Sequence, residues 1–448
     1  MPVQGTILRH VEQWTQDKSC QTLLEGSWNM FCSRGCNLRY LNRVANWQLI
    51  VVIKKFGRKP ALFRAVIPQD MRDRLSAKQP WFTVNKVGAW MPTPSQKTHS
   101  YVTTEAPMPP CIQHFQNKSF HVHPISFSIP RHLIRGAPTP AQKSRVLASI
   151  IPGKHDTYAF SDQESYYEGY TTSFFGATYK KGGWDCLRHY EILACGCIPY
   201  MPDAPNLPAG TMFLWPRETL TSILQLKGVD HQGIRAALQL DQRSDKNFSS
   251  LLENTEFDLR SYYGLLESLV NHMRRYLTTE AMGRYLLSFS SQKPEHILFV
   301  GSADPDAHYP DYQADTLFHG LRSIFGNAVV DVPKRPWMYS NYPDAGRDAL
   351  YGKGFTYGFH LQDASVNRQA VEDKISSHEF SHIIFAVTHH GRHSFIDRVQ
   401  QHYARDEVFF VDGSDTGAAE TDDIFHTVCG KVGLCFRREL VCADVVRP

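Results

Sequence analysis

The sequence predicts an α/β protein: two Rossmann-like doubly wound units preceded by a less regular N-terminal region. Three observations carry this expectation. Short apolar runs at 146–151, 296–301, 328–332, 381–387 and 407–411 read as buried strands. Stretches with helical spacing of apolar residues, above all 258–287 and 312–325, alternate with them, as in a mostly parallel sheet. The 448 residues, 42% hydrophobic and 21% charged, are enough for two to four folded domains and too apolar for a disordered chain.

In chain order, residues 1–120 are the least regular third. Trp47–Ile53 reads as a buried strand, followed by the basic turn KKFGRKP, and 79–101 reads as loops rich in Trp, Pro, Thr and Ser. The next unit, 121–290, opens on an alternating strand at 122–129 that ends at Pro130. A strand at 146–151 follows, closed by Pro152-Gly153, and then a segment at 158–179 crowded with Tyr, Phe and Glu. Beyond the central stretch come a proline-rich loop at 202–210, a strand at 212–215, a helix at 218–226 and the long helical pattern over 258–287. A polar hinge at 288–294 introduces the third unit, 294–448. It comprises the strand 296–301, the helix 312–325, strands at 328–332, 381–387 and 407–411, and a helix over 367–378.

The stretch KKGGWDCLRHYEILACGCIPYMPD, 180–203, carries the chemistry. Asp185 is the expected N-cap of a helix over 186–195, whose Leu187, Tyr190, Leu193 and Ala194 recur at helical spacing. Gly196 is the expected stop, and 197–200 the strand after it. Gly182 and Gly183 keep side chains away from a ligand, and a helix start offers free N–H groups to an anion. Arg188 suits phosphate oxygens, and Glu191, three residues on and on the same face, suits ribose hydroxyls. Lys180 and Lys181 are further phosphate candidates. The competing account is an ordinary surface ion pair beside two solvated lysines.

The run from Arg188 through Glu191 to Gly196-Cys197-Ile198-Pro199 resembles the nucleotide-sugar-binding signature of exostosin-like glycosyltransferases of the GT-B type. The close match covers 178–203 and a looser one 122–290. The resemblance implies two Rossmann-like halves facing a cleft, a nucleotide-sugar donor, and a glycan, protein or other acceptor. In that family the acidic residue of the helix holds the sugar nucleotide. One departure stands out: the nucleotide-sugar half ordinarily comes last, whereas here it precedes the second α/β unit. Either the cleft has a permuted order, or 1–120 supply the acceptor half and 294–448 are an added domain.

Asp304, Asp306 and Asp311, at the carboxyl end of the 296–301 strand, are candidates for a general base, Asp304 foremost. No cofactor and no essential metal ion are expected. His378-Glu379-Phe380-Ser381-His382 matches the zinc-hydrolase pattern H-E-x-x-H, which needs both histidines on one helical face. The β-rich run from Ile383 argues that the helix ends before His382, leaving the rings apart. The loop histidines His389, His390 and His393 follow that run. A zinc metallohydrolase and a non-catalytic nucleotide- or glycan-binding protein are therefore the alternatives to sugar transfer. Net charge +4 does not suggest a nucleic-acid surface. No apolar run approaches the ~20 residues of a membrane span, and 1–20 have no apolar signal core, so a soluble, cytoplasmic protein is expected. The ten scattered cysteines read as reduced and buried.

Overall fold

The computed structural model describes the backbone of several strands within 1–117, and from 118 onward all but 137, 240–256, 302–309, 387–394, 416–424 and 441–448; side chains are described from 121. Residues 1–100 and 101–448 form two compact units. In the first, β1 (Met30–Phe31), β2 (Asn37–Val44), β3 (Gln48–Ile53) and β4 (Ala61–Val66) make an antiparallel sheet in sequence order. The run expected at 47–53 is its β3. Inside the stretch expected to be loops, β5 (Phe82–Val84) and β6 (Trp90–Pro92) pair as a hairpin.

Among the described residues the second unit holds two sheets. The smaller is parallel, in the order β11 (Ile198–Tyr200), β10 (Ser173–Ala177), β9 (Arg145–Leu147). Helices α1 (Gln163–Thr171) and α2 (Leu187–Ala194) make its crossovers. After β11 come α3 (Arg217–Ile223), α4 (His231–Gln239), α5 (Leu259–Tyr276) and α6 (Thr279–Leu287). The single helix expected over 258–287 is broken at Leu277–Thr278, because the Thr278 hydroxyl accepts from the Ala281 N–H and caps a new helix. The strand expected at 212–215 is a turn, with Met212 at φ 46°.

The larger sheet runs β13 (Val329–Val332), β12 (Ile297–Val300), β14 (His382–Ala386), β15 (Val408–Asp412), β16 (Leu434–Arg437), β8 (Lys118–Pro124), β7 (Cys111–Phe115). Its first six strands are parallel and only β7 is antiparallel. The strand expected at 122–129, as the entry to the middle unit, instead spans 118–124 and belongs to this sheet: Val122 pairs with Cys435. The chain thus leaves one sheet, builds the other, and returns.

Side chains alternate across the larger sheet. Ile297, Phe299, Ile384, Phe409 and Phe436 join the core shared with α5, α6 and α7 (Tyr312–Phe325), where Phe299 lies 5.2 Å from Phe318, centroid to centroid. Leu298, Val300, Ile383, Phe385 and Phe410 face Val371 and Ile375 of α9 (Val371–Ser376), after the short α8 (Asp344–Arg347), and Ile396 and Val399 of α10 (Ile396–His402). Both faces are therefore covered by helices, as a parallel sheet requires. Gly320 of α7 lies against the Thr279 backbone, where a Cβ would collide, so the two helices pack main chain to main chain.

Where the two sheets adjoin, His132 meets His319 of α7 and His360. His132 Nε2 and His360 Nδ1 are 3.2 Å apart, and the rings of His319 and His360 are 5.9 Å apart. Burial lowers His319 to about 3 and His360 to about 4, with the neighbouring histidines adding to the effect. Both folded values lie below the unfolded one, so the unfolded chain takes up protons first. The stability they contribute is present above about pH 6.5 and is lost as pH falls toward the folded values. Asp185 and Asp315, raised to about 6 chiefly by burial, have the opposite sign and lose stability as pH rises through 6. A difference between variants separates the two effects. His319→Asn should flatten the acid side of the stability curve, removing about 2 kcal/mol of the loss between pH 7.5 and pH 5. Urea unfolding at both pH values measures it.

Candidate functional site

The site is built on α2. The helix begins one residue later than expected: its N-cap is Cys186, and Asp185 instead accepts the Phe127 N–H at 2.8 Å. The reason is register, since with Cys186 in the extended cap conformation Asp185 is already outside the helix and buried. The C-terminus follows the expectation. Gly196 has φ 66°, its N–H donates to Leu193 O, and the Cys197 N–H donates to Ile192 O, the paired bonds of a Schellman ending. Leu187, Tyr190, Leu193 and Ala194 enter the main core.

Arg188 and Glu191 occupy the other side of the helix. Glu191 is buried, and both carboxylate oxygens already have donors: Tyr166 OH at 2.6 Å from α1, and Thr356 Oγ1 at 2.7 Å from the other sheet's side of the molecule. The Tyr167 hydroxyl meets Thr356 Oγ1 at 2.7 Å, and the Gln163 amide oxygen accepts the Thr356 N–H at 2.6 Å. Burial raises the Glu191 pKa, while Thr356 and Tyr166 work against the rise. Arg188 is half-buried and donates from Nε to Tyr158 OH at 2.9 Å. Two parts of the chain thus converge on one carboxylate.

Thr356 lies in a strained segment. Gly352, Lys353, Gly354, Thr356 and Phe359 all have positive φ, and at 75° Thr356 is a β-branched residue in a region that such residues avoid. Gly352-Lys353-Gly354 is the start of this segment. Tyr351, 73% exposed, and Tyr312 flank it, their rings 5.5 Å apart.

The glycine loop before α2 is filled from within the protein. Glu439 accepts the Trp184 and Asp185 N–H groups, each at 2.9 Å. A Cβ on Gly182 would collide with Asp415, and one on Gly183 with Asp415 and Glu439. The absent side chains expected to make room for a phosphate therefore make room for two carboxylates. Arg438 sits behind them, donating to Asp185 O, Glu439 and Asp415. Lys180 is exposed, with Nζ 5.9 Å from the Trp184 ring centre, and exposed Lys181 passes beside Gly153.

Asp304 and Asp306 lie outside the described residues, as do His389, His390 and His393. Asp311 caps α7, accepting the Ala314 N–H at 2.8 Å. The H-E-x-x-H run is not helical: α9 ends at Ser376, His378 has φ 57°, and His382 starts β14. His378 contacts His402 O and Glu407, whereas His382 contacts Ser381 and Ser290, so the two rings do not share the helical face the motif needs. Among the described residues no group of three His, Cys, Asp or Glu side chains is arranged to hold a metal ion. Cys195 and Cys197 are free and buried as expected, but Cys429 and Cys435, brought to a Cα separation of 5.9 Å by β16, are joined in a disulfide.

Sequence reasoning missed Tyr158, Tyr166 and Thr356. The crowding of tyrosines at 158–179 was a signal for the first two, and Thr356, 165 positions from Glu191, had none. No family model, curated protein or solved structure matches the chain.

The strain at Thr356 yields a test. Thr356→Val keeps the β-branch at positive φ and removes the hydroxyl from both Glu191 and Tyr167; Thr356→Gly removes the same hydroxyl and relieves the backbone. Strain worth about 1–3 kcal/mol, less roughly 0.5–1 for the added freedom of glycine, should leave the glycine variant more stable than the valine variant by about 1 kcal/mol. Equilibrium denaturation of the two compares them directly.

Proposed function

We propose that the chain is a glycosyltransferase that moves a sugar from a nucleotide-sugar donor to a glycan, protein or other acceptor. The observation that carries the reading is the convergence on α2: Arg188 and Glu191, three residues apart, sit where Tyr158 and Tyr166 from one side meet Thr356 from the other. A donor bridging two Rossmann-like, GT-B-like halves needs a cation for the diphosphate and an acceptor for the ribose at such a junction. Supporting evidence comes from the larger sheet, whose chain order turns back between β12 and β14, the kind of point where parallel sheets bind ligands at their carboxyl ends. That 125–290 lie in the chain between β8 and β12, two strands of the one larger sheet, favours a permuted cleft over an added domain.

In this reading Arg188 neutralises charge on the leaving diphosphate, and Lys180 and Lys181 assist from the loop. Glu191 keeps two oxygens fixed by hydroxyl donors, and its remaining lone pairs accept from ribose. Because Glu439 occupies the N–H groups of Trp184 and Asp185, the diphosphate rests on side chains rather than on the glycine loop. No metal ion is invoked.

Calorimetric titration with UDP-, GDP- and CMP-sugars and the free nucleotides tests the proposal, and failure of all of them to bind sinks it. Binding without transfer or donor hydrolysis would instead favour a non-catalytic binding protein. Glu191→Gln should lower donor affinity roughly ten- to a hundredfold, the worth of a hydrogen bond to a charged group. Its melting curve must be followed as well, since the amide also disturbs Tyr166 and Thr356. Arg188→Lys keeps the charge, loses the planar fork, and should depress turnover more than binding.

A further inference from the structure

We infer that Cys186, with His189, Arg188 and Thr178 around it, is a reactive thiolate site that hydroperoxides oxidise. The sugar-transfer reading makes no use of this sulfur, so the two stand or fall separately. Cys186 is free and half-buried at the start of α2. Its Sγ lies 3.4 Å from His189 Nε2, 3.8 Å from Arg188 Nη1 and 4.0 Å from Thr178 Oγ1. His189 is fully buried and held at both nitrogens: Nδ1 meets Thr178 Oγ1 at 2.7 Å, and Nε2 meets Trp184 O at 2.8 Å. The carbonyl can only accept, so Nε2 carries a proton, and that N–H is shared between Trp184 O and the sulfur.

This is the geometry of a nucleophile beside a histidine that a third residue orients. A neutral thiol would gain little from two positively charged donors, whereas a thiolate gains much. The electrostatics agree in direction. Burial opposes ionisation of Cys186, but His189 and then Arg188 outweigh it and lower the thiol to about 6. Burial likewise opposes the charged imidazole, yet Cys186 and Asp185 raise His189 above its ordinary value. The charged and titratable groups facing the sulfur are thus His189 and Arg188 from α2, with Asp185 and Tyr158 at the second remove. By contrast, Cys195 and Cys197 are pushed up by burial and are poor nucleophiles.

The oxidation balances with groups already present. The thiolate attacks one peroxide oxygen, an S–O bond forms as the O–O bond breaks, and the departing hydroxide, or the alkoxide of an alkyl hydroperoxide, takes one proton from the His189 imidazolium and leaves as water or alcohol. The sulfur becomes a sulfenic acid, the peroxide is reduced, and the imidazole is left neutral. One external thiol condenses with the sulfenic acid to a mixed disulfide and water, and a second releases Cys186 as the external disulfide forms.

The test uses the whole native chain at pH 6, where an ordinary thiol is almost wholly protonated. Alkylation by iodoacetamide, read by peptide mass, should label Cys186 before Cys195 or Cys197 and faster than free glutathione. After allowance for the lower intrinsic nucleophilicity of a low-pKa thiolate, His189→Gln should slow it about tenfold. Thr178→Val, which frees the ring to turn and removes the hydroxyl 4.0 Å from the sulfur, should slow it in the same direction and serves if the histidine variant does not fold. One equivalent of hydrogen peroxide followed by dimedone should place the adduct on Cys186. Labelling of Cys186 slower than glutathione at pH 6, or unchanged rates in a folded variant, overturns the site; alkylation without a dimedone adduct overturns the peroxide assignment.

Discussion

Glu439 is a carboxylate with almost no access to water, and much of the second unit is arranged around that fact. Burial raises its pKa, and Arg438 and the N–H groups of Trp184 and Asp185 offset the penalty. Arg438, equally buried, is held by Glu439, Asp185 and Asp415. Removing one member of such a set strands another, which typically costs about 3–5 kcal/mol. The loop entering α2 therefore cannot move without unpairing charges at the end of β16. That anchorage fixes the start of the helix, and the start fixes where Cys186, Arg188 and Glu191 point.

The second tie, Thr356 on Glu191, has a different character. It is made of neutral hydroxyls on one carboxylate, and the segment that delivers it holds several residues in unfavourable backbone conformations. A rigid ionic anchor at one end of α2 and a strained polar contact at its side divide the labour. The first sets position, and the second brings the far side of the junction into register with it.

Elements with a strong local signature were legible from sequence. The helix at 312–325 has Asp311 as its cap and matches residue for residue, and four strands of the larger sheet, β12 to β15, are found within a residue or two of where the apolar runs place them. The glycine ending of α2 is equally local. Legibility failed where a partner from far along the chain decides the outcome. Asp185 has the composition of a cap, but Phe127 claims its carboxylate. Gly182 and Gly183 read as a ligand cradle, and the occupants turn out to be Asp415 and Glu439, some 230–255 positions on. The strand expected at 122–129 shares only its first three residues with β8, and no pattern within it names β16 as its neighbour.

That last pairing bears on how the molecule is made. On the ribosome β8 emerges early, and the strand it must lie against, β16, emerges only some three hundred residues later. Residues 125–290 can settle around their own small sheet in the meantime, while β7 and β8 wait as a hairpin with one edge uncovered. An uncovered edge invites pairing with other chains. His121 and His123 along β8 place polar side chains on it, a composition that discourages such pairing. The final act of folding is then the docking of the newest part of the chain against one of the oldest. A nascent chain halted before residue 434 would carry a finished small-sheet lobe and an unfinished large sheet.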